Sequence, residues 1–492
     1  MALVLAVALL IVEVDMPRRK SCAPQADQAS AALLQTLNPH AAGIDISAAE
    51  HWVAVPEGAV PEPPRRRRGQ LPNRVRRFGA CTADLRSLAA WLRQVGVDTV
   101  AMEATGVYWV PLYDLLEAEG FRVLLVDPQQ TRAAPGRPKT DVKDCMWIQR
   151  LHSLGLLTAA FRPAEPIRVL RSYQRHRASL VEDASRFLLR MQKALEQMNV
   201  KLTEVLSDLT GVTGMAIVKA ILAGERDPAK LAQCRQRGCR HNEAAIARAL
   251  EGTWQPEHLF ALRQSLELYE YYQQQLAACD GVIEAHLKTL ALPEKPAPLP
   301  PRRAKVRRRR QGNEPHFDAR QRLYEMAGVD LTAIEGVETS TALVVLSEVG
   351  THMERWRSEK AFGSWLGLAP NPKKSGGKVK SAATRAGANR AAKALRLAAR
   401  SLHKSNSALG AFFRRIAARR GVPKAITATA YKLARIIYGM LKHGAAYVAR
   451  GLAEYEAEHR ERQVRQLKKK AKELGYELTA KEAQGEAAVS LA

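Results

Sequence analysis

Two stretches of heptad periodicity constrain this chain more than any other feature. Leu170, Tyr173, Leu180, Ala184, Phe187, Met191, Leu195, Met198, Leu202, Val205 and Leu209 recur at alternating steps of three and four. Such spacing gathers apolar side chains into one stripe along a helix for about six heptads. Arg177 is the one break in that stripe. Leu262, Leu266, Tyr269, Leu276, Ile283, Leu287 and Leu290 repeat the pattern. The spacing predicts a coiled coil over 166–290. Its two stretches pack antiparallel on each other or form half of a dimer interface, with a small helical insertion at 214–253.

The sequence before this element reads as α/β. Gly43-Ile44-Asp45-Ile46-Ser47 is a short strand, 47–50 a turn and 51–55 its hairpin partner. Residues 56–77 are rich in Pro and Arg and read as a mobile basic loop. A helix follows at 82–94, with Leu85, Leu88, Ala89 and Leu92 on one face. Then come a strand ending at Glu103, a helix at 107–119, a strand at 122–126 and a helix at 140–154. Beyond the coiled coil, 291–319 is a Pro/Arg-rich linker. Residues 320–450 form a helical basic domain and 451–492 a charged helical tail.

Residues 1–40 form an N-terminal extension, expected to be disordered. Its apolar run at 2–12 is too short to span a bilayer and lacks the flanks of a signal peptide. Met16 is an alternative start. The six cysteines form no CxxC pair. Cys234, Cys239 and His241 lack a fourth ligand for zinc, so reduced thiols and a cytoplasmic setting are expected. No membrane association is expected.

Charge selects the function class. Lys and Arg number 76 against 49 Asp and Glu, a net charge of +27. A protein this basic is expected to bind a polyanion, nucleic acid first. The excess is concentrated: 355–435 holds 20 Lys/Arg and one acid, Glu359. A merely solvated surface mixes both signs.

Four acids are placed like catalytic groups. Asp45 lies inside an apolar strand, Glu103 at the end of a later strand, and Asp141 and Asp144 one turn apart on a helix. A carboxylate in an apolar strand is costly unless paired, and a divalent metal is the natural partner. Each acid alone has an ordinary alternative: a turn cap, a partner of the helix dipole, or an ion pair with Arg150. Together, in this order, they suit an RNase H-like nuclease core with two Mg²⁺ ions flanking a scissile phosphate. Beside Glu103, Gly106 marks a strand-to-helix turn, and Tyr108 and Trp109 either stack on a base or fill the core.

The basic domain carries a second constellation. Ile334-Glu335-Gly336-Val337 resembles the turn of a helix-hairpin-helix, where backbone N–H groups can hold a phosphate. Lys373-Lys374-Ser375-Gly376-Gly377-Lys378 is either a phosphate-cradling loop or a nucleophile on a flexible turn. Lys380, Arg385 and Arg390 extend the cationic surface toward an amphipathic helix.

With these residues in view, the chain resembles the DEDD transposases of insertion sequences (family one-ten). Gly-Ile-Asp45-Ile-Ser, Met-Glu103-Ala-Thr-Gly-Val-Tyr-Trp and Lys-Thr-Asp141-Val-Lys-Asp144 match the family's acidic motifs. Ile-Glu-Gly-Val, Leu-Gly-Leu-Ala-Pro and Lys-Ser375-Gly-Gly through Ala-Gly-Ala-Asn-Arg390 match its C-terminal transposase domain. The resemblance implies a RuvC-like DEDD domain at 41–160, a coiled coil and an α-helical transposase domain. It implies Mg²⁺, with Mn²⁺ as the alternative, on Asp45, Glu103, Asp141 and Asp144. Ser375 becomes the nucleophile that forms a phosphoserine, beside acids supplied by a different protomer. The implied partners are donor and target DNA, a non-coding bridge RNA, and a homodimer assembling to a tetramer on DNA. Lys373, Lys374, Lys378, Lys380, Arg385, Arg390 and Gly336 become nucleic-acid contacts. The Arg-rich insert at 65–77 and the linker near Arg307 depart from the family pattern.

Two other functions share these residues. A RuvC-type metal-dependent endonuclease uses the acids with water and tolerates Ser375→Ala. A non-catalytic nucleic-acid-binding protein needs neither acids nor serine. A tyrosine mechanism at Tyr431 or Tyr438 lacks its surrounding Arg/His set.

Overall fold

A computed structural model of the chain describes residues 36–61, 70–132, 140–292, 298–301, 313–385, 387, 389–444 and 452–479. The apolar run at 2–12, Met16, the arginines at 65–68 and the basic run at 302–310 lie outside the described residues. The chain divides into two compact units, Met1–Arg162 and Pro163–Ala492.

The first unit is a mixed five-stranded sheet with helices on its faces. In chain order it contains β1 (Ala41–Ile46), β2 (Glu50–Ala54), β3 (Val75–Gly79), α1 (Thr82–Gln94), β4 (Thr99–Glu103), α2 (Trp109–Ala118), β5 (Arg122–Val126), α3 (Pro128–Thr131) and α4 (Asp141–Ser153). Strand order is β3-β2-β1-β4-β5. β1, β2 and β3 pair antiparallel, whereas β4 lies parallel to both β1 and β5. This arrangement is consistent with an RNase H-like beginning.

The pleat sorts the residues of β1. Ala42, Ile44 and Ile46 join the core made with Leu85, Leu88, Leu92, Leu112 and Leu116 of α1 and α2. Gly43 and Asp45 therefore face the other side, where α4 packs. The turn after β1 is tied by Ser47, whose N–H and hydroxyl both donate to the Glu50 carbonyl, at 3.1 and 2.7 Å.

One expectation for this unit fails. The segment read as a mobile loop to Arg77 contains the edge strand β3. Arg76 and Arg77 are exposed on it, with their guanidinium groups 4.8 Å from the Trp91 ring and 5.9 Å from the Trp52 ring. Charged side chains are how an edge strand avoids pairing with another chain, and they hid the strand pattern from the sequence reading.

In the second unit, α5 (Glu165–Gln197) is followed by α6 (Leu202–Val205), α7 (Val212–Leu222), α8 (Pro228–Ala232), α9 (Glu243–Ala249) and α10 (Pro256–Thr289). Helices α5 and α10 run antiparallel. Phe187 stacks on Tyr272 at 5.6 Å partway along the pair, and His286 lies 2.7 Å from the Pro166 carbonyl at one end. The periodic stretch expected to continue to Leu209 leaves the helix pair early. Helix α5 ends at Gln197, and Asn199 adopts φ +57°, a left-handed conformation that turns the chain. Leu202, Leu206 and Leu209 then join Ile217, Ile221 and Leu250 in a core shared with Met191 and Leu195 of α5 and Leu262 and Leu266 of α10.

The break at Arg177 is a buried ion pair. Arg177 is 5% exposed and Asp280 1%. Arg177 Nε donates to Asp280 Oδ1 at 2.5 Å, while Nη2 donates to Oδ2 and to the Asn313 carbonyl, both at 3.2 Å. His316 N donates to Asp280 Oδ2 at 2.9 Å, and its Nδ1 lies 2.8 Å from the same oxygen. Burial pushes the Asp280 carboxyl up, but the Arg177 and His316 hydrogen bonds outweigh it and hold it below its usual value. The end of the expected linker is thus fastened to the helix pair.

Removing one partner leaves a buried charge uncompensated. Asp280→Ala is expected to cost about 3–5 kcal/mol. The double variant Arg177→Met/Asp280→Leu should recover most of that loss. Urea melts of the three proteins check this; an Asp280→Ala protein as stable as the native one would refute it.

The chain continues with α11 (Ala319–Ala327), a 3₁₀ turn (Leu331–Ala333), α12 (Thr339–Val349), α13 (Glu359–Trp365), a hairpin of β6 (Lys373–Ser375) and β7 (Lys378–Ser381), α14 (Arg390–Ser401), α15 (Ala408–Arg420), α16 (Val422–His443) and α17 (Leu452–Glu473). Helix α16 packs on α13, α14 and α15 around Phe362, Leu395, Phe413, Leu433 and Ile437. Tyr438, 4% exposed, donates its hydroxyl to the Trp356 carbonyl at 2.7 Å, a structural role. Glu348 of α12 accepts from Arg175 of α5 through two bonds of 2.8 Å. Among the described residues, no helix is long and apolar enough to cross a membrane.

Candidate active site

The four acids lie at one end of the sheet and at the start of the helix that covers it. Parallel pairing sets Ile44 opposite Met102, so the next residues, Asp45 and Glu103, are neighbours on adjacent strands about 4.8 Å apart. Both are half-buried. They share the face on which α4 lies.

Helix α4 comes that close because of Gly43. A Cβ at this position would lie 2.1 Å from the Gln149 nitrogen and 2.5 Å from the Cys145 carbonyl oxygen. Backbone thus packs on backbone, and the first turn of α4 is drawn over Asp45. The Cys145 thiol reports the result. Burial first, then the charges of Asp45 and Asp144, push it up to about 12. The Thr140 side chain caps α4 by accepting from Lys143 N at 3.3 Å. At its other end, His152 lies 2.9 Å from Thr99 Oγ1 of β4. Burial and the Arg122 charge lower this imidazole to about 4, so it is neutral at neutral pH.

Glu103 has a partner that the sequence reading missed. Thr131 donates its hydroxyl to Glu103 Oε1. Thr131 is 6% exposed and ends the one-turn helix α3, which is started by Asp127 accepting from Gln129 N at 2.8 Å. Asp127 followed by Pro128 was the readable signal, a helix cap followed by proline at the first helical position.

Asp144 is half-buried, whereas Asp141 is exposed at the rim. Among the described residues, no three His, Cys, Asp or Glu side chains converge closely enough to hold a metal ion. The backbone delivers the acids to one end of the sheet, and their side chains are held by local partners such as Thr131. Four carboxylates on rigid elements are nevertheless the donor set that suits a hard divalent cation. Beside them, Gly106 has φ +57°, Tyr108 is exposed, and Trp109 Nε1 donates to the Gly106 carbonyl at 3.2 Å. Trp109 meets Tyr113 edge-on at 5.8 Å, so it packs in the fold while Tyr108 faces solvent.

The serine segment is a hairpin rather than the loop expected from its glycines. Ser375 pairs with Lys378 across a two-residue turn, Gly376-Gly377, with φ +55° and +72°. Two successive positive φ values define a type I′ turn, whose twist matches a tight hairpin. Cβ atoms on these glycines would meet nothing within 4 Å, so glycine is required by conformation, not by space. Asn371 N donates to the Ala383 carbonyl at 3.0 Å and closes the base. Ser375, Lys373, Lys374, Lys378 and Lys380 are all exposed, and Lys378 stands directly across the ladder from Ser375.

Around the hairpin, Arg385 and Arg390 are exposed, and the Asn389 side chain caps α14 by accepting from Ala392 N at 3.1 Å. Gly336 has φ +82°, and a Cβ there would lie 2.9 Å from Leu402 Cγ. The turn at Gly336 is therefore seated on the end of α14, and α12, which follows it, has no side-chain cap. Glu359, the lone acid of the basic stretch, accepts from Arg435 Nε at 2.8 Å. In the insertion, Cys239 Sγ lies 3.3 Å from Thr213 Oγ1, and Cys234 and Cys239 both pack on the local core.

Comparison with known proteins bears on both halves. Residues 42–200 match a transposase family model, that of the DEDD transposases of IS110 type. Residues 315–414 match a second model, described as "Transposase IS116/IS110/IS902 family". The first match contains Asp45, Glu103, Asp141 and Asp144; the second contains Gly336, Ser375 and Arg390. No curated protein matches the chain. Together the two matches cover more than half of the chain, in the order of the two constellations. The chain belongs to the IS110 family of transposases and is a DNA transposase/recombinase.

Proposed function

We propose that this transposase cuts and rejoins DNA through a phosphoserine at Ser375, with Mg²⁺ or Mn²⁺ held by Asp45, Glu103, Asp141 and Asp144, and that a bridge RNA pairs it with donor and target. The observation that carries this reading is the exposure of Ser375 at the tip of a hairpin that bears four lysines, inside a segment matched as transposase. Divalent metal dependence follows from the DEDD domain; the choice of Mg²⁺ is part of the proposal. A bound divalent ion supplies Lewis acidity that stabilises charge on the reacting phosphate.

The chain's own residues do the rest. Ser375 Oγ forms a bond to phosphorus as the ester bond to a deoxyribose oxygen breaks. The serine proton ends on that departing oxygen, directly or through water. Lys378 and its hairpin neighbours stabilise the phosphoryl charge. A deoxyribose hydroxyl of the exchange partner then attacks the phosphoserine, rejoins a strand and frees Ser375. Lys373, Lys374, Lys380, Arg385, Arg390 and the turn at Gly336 hold flanking phosphates. The assembly in this reading is a homodimer that becomes a tetramer on DNA.

The test is a denaturing gel with Mg²⁺, the RNA encoded at the gene's flank, and labelled donor and target DNA. A covalent protein–DNA band supports the reading. Cleavage without such a band means water attack and a hydrolytic nuclease. Random RNA that supports the reaction as well as the flank RNA removes the guide.

The metal half has its own check. Asp45→Asn should lower strand cleavage by about 10³ or more. It should leave the fold as stable as before or more so, because one of several clustered negative charges is gone. Mg²⁺ should raise the melting temperature of the native protein and not that of the variant. Retained cleavage in Asp45→Asn would remove the acid from the mechanism.

A further inference from the structure

Helix α17 (Leu452–Glu473) lies beyond both matched segments and carries an apolar stripe on its open side. Its first turns rest on the rest of the second unit. Tyr455 is half-buried; Arg415 of α15 donates to its hydroxyl at 3.0 Å, and Lys432 of α16 stands 5.1 Å from its ring. Val464 follows Tyr455 by nine residues, and Leu467 follows the half-buried Glu458 by nine. Nine residues are two and a half turns, so Val464 and Leu467 lie on the opposite side of the helix from these seats. The stripe runs through Ala457, Arg460, Val464, Leu467, Ala471 and Leu474, at steps of three and four. Val464 is 40% exposed, Leu467 55% and Leu474 66%. A seam with this spacing is what a partner helix covers.

We infer that α17 pairs antiparallel with α17 of a second copy of this chain. Charge argues for it. Glu454, Glu456, Glu458 and Glu461 make the first half of the helix acidic, with Arg460 the only Lys or Arg there, whereas 462–472 holds six Lys/Arg and no acid. A helix acidic at one end and basic at the other complements a copy of itself only when that copy is reversed. The flanks of the seam agree. With Val464 facing the partner's Leu467 and Ala457 facing the partner's Leu474, Glu456 stands beside the partner's Lys470 and Glu461 beside the partner's Lys468. The two-fold axis repeats both charge pairs and sets Gln463 beside the partner's Gln463. Arg460 faces the partner's Ala471, over which its aliphatic stem lies. A parallel pair would instead set Glu456 beside the partner's Glu461, two like charges. Within its own helix Glu461 meets Arg465 at 3.5 Å, a pair exposed at both ends and therefore weak, so the carboxylate is open to a second cation. Nucleic acid suits the basic half of α17, but the acidic half repels it and the apolar stripe stays uncovered. The seam is short for a free-standing interface, so the contact acts between copies that other surfaces or DNA already bring together. The inference rests on the proposed association of copies and not on Ser375 or the acids.

The test places one cysteine at a time on the full-length chain and treats it with a short bis-maleimide, with and without DNA. Linked peptides are identified by mass spectrometry, which separates them from links at native cysteines. Gln463→Cys is expected to link to itself. Glu456→Cys and Lys470→Cys should link at least tenfold better when the two are mixed than either does alone. Self-links at Glu456→Cys and Lys470→Cys without mixed links would mean a parallel pair and overturn the inference. Absence of α17 links in a protein that sediments as a dimer would also overturn it, and would leave the homodimer standing on another surface. A monomer under all conditions would remove both. Charge reversal gives an independent check. Lys468→Glu/Lys470→Glu and Glu456→Lys/Glu461→Lys should each lower Gln463→Cys linking tenfold or more, and mixing the two should restore it. DNA affinity lost in Lys468→Glu/Lys470→Glu, with Gln463→Cys linking unchanged, would give the basic half to nucleic acid and overturn the pairing.

Discussion

Ser375→Ala is expected to yield a protein that folds, binds DNA with unchanged salt dependence, and forms no covalent adduct. Ser375 is exposed, and its place in the hairpin is fixed by backbone pairing with Lys378 and by the left-handed glycines after it. None of these needs the hydroxyl, so stability should change by less than about 0.5 kcal/mol. The chemistry should collapse. Losing a nucleophile typically removes a factor of 10⁴ or more, because the remaining groups have nothing to position. Strand exchange measured by product junctions should fall below detection, and the adduct with it. Hydrolytic nicking that continues at the native rate in Ser375→Ala would assign the reaction to water and leave the hairpin as a phosphate cradle.

The comparison also separates the hairpin's shape from its chemistry. Gly376 and Gly377 are both left-handed, with nothing near their missing Cβ atoms. The two positions serve the turn; in the proposed mechanism Ser375 serves the reaction. A sequence in which lysines surround Ser-Gly-Gly does not distinguish these roles, which is why a loop and a nucleophile on a turn remained open. The pair of positive φ values, visible only in three dimensions, makes the segment a tight hairpin turn.

Other features divide along the same line. The acids were legible because a carboxylate within an apolar strand is an anomaly that a strand pattern exposes. Asp45 was read within a strand, Glu103 at the end of one, and Asp141 and Asp144 one turn apart on a helix, which is where the backbone has them. Thr131 was not legible, because its role depends on β5 setting Val126 beside Glu103 and on a one-turn helix after it. The edge strand Val75–Gly79 was hidden by the arginines that protect it. Arg177 was visible as a break in an apolar stripe, but its partner Asp280 is 103 residues away and required the antiparallel packing to be known. The end of helix α5 was misplaced because leucines continue past it into the same core, which Met191 and Leu195 of α5 share with Leu202, Leu206 and Leu209. Periodicity shows which residues are buried together, not where the helix that carries them ends.

Gly43→Ala should be among the most damaging single-methyl changes in the first unit. The added Cβ would sit 2.1 Å from the Gln149 nitrogen, 2.5 Å from the Cys145 carbonyl oxygen and 2.7 Å from Gln149 Cα. All three are backbone atoms of α4, so no side chain can swing aside; the helix itself must retreat. Overpacking of a core costs about 1–3 kcal/mol, and a clash confined to backbone belongs at or above the top of that range. The retreat also carries Asp144 away from Asp45. A displacement of about 1 Å at a reacting centre costs on the order of 10²-fold in rate. The variant should therefore lose thermal stability and cleavage together, with partial rescue of neither by added Mg²⁺. Gly281→Ala is the matched control. It lies exposed in α10 with nothing within 4 Å of its Cβ position. There the same methyl should stabilise by about 0.5–1 kcal/mol, because alanine favours a helix interior over glycine. Gly43→Ala melting with the native protein and cleaving at its rate would mean that α4 is not seated on β1 as described, and with it the approach of Asp144 to Asp45 would fall.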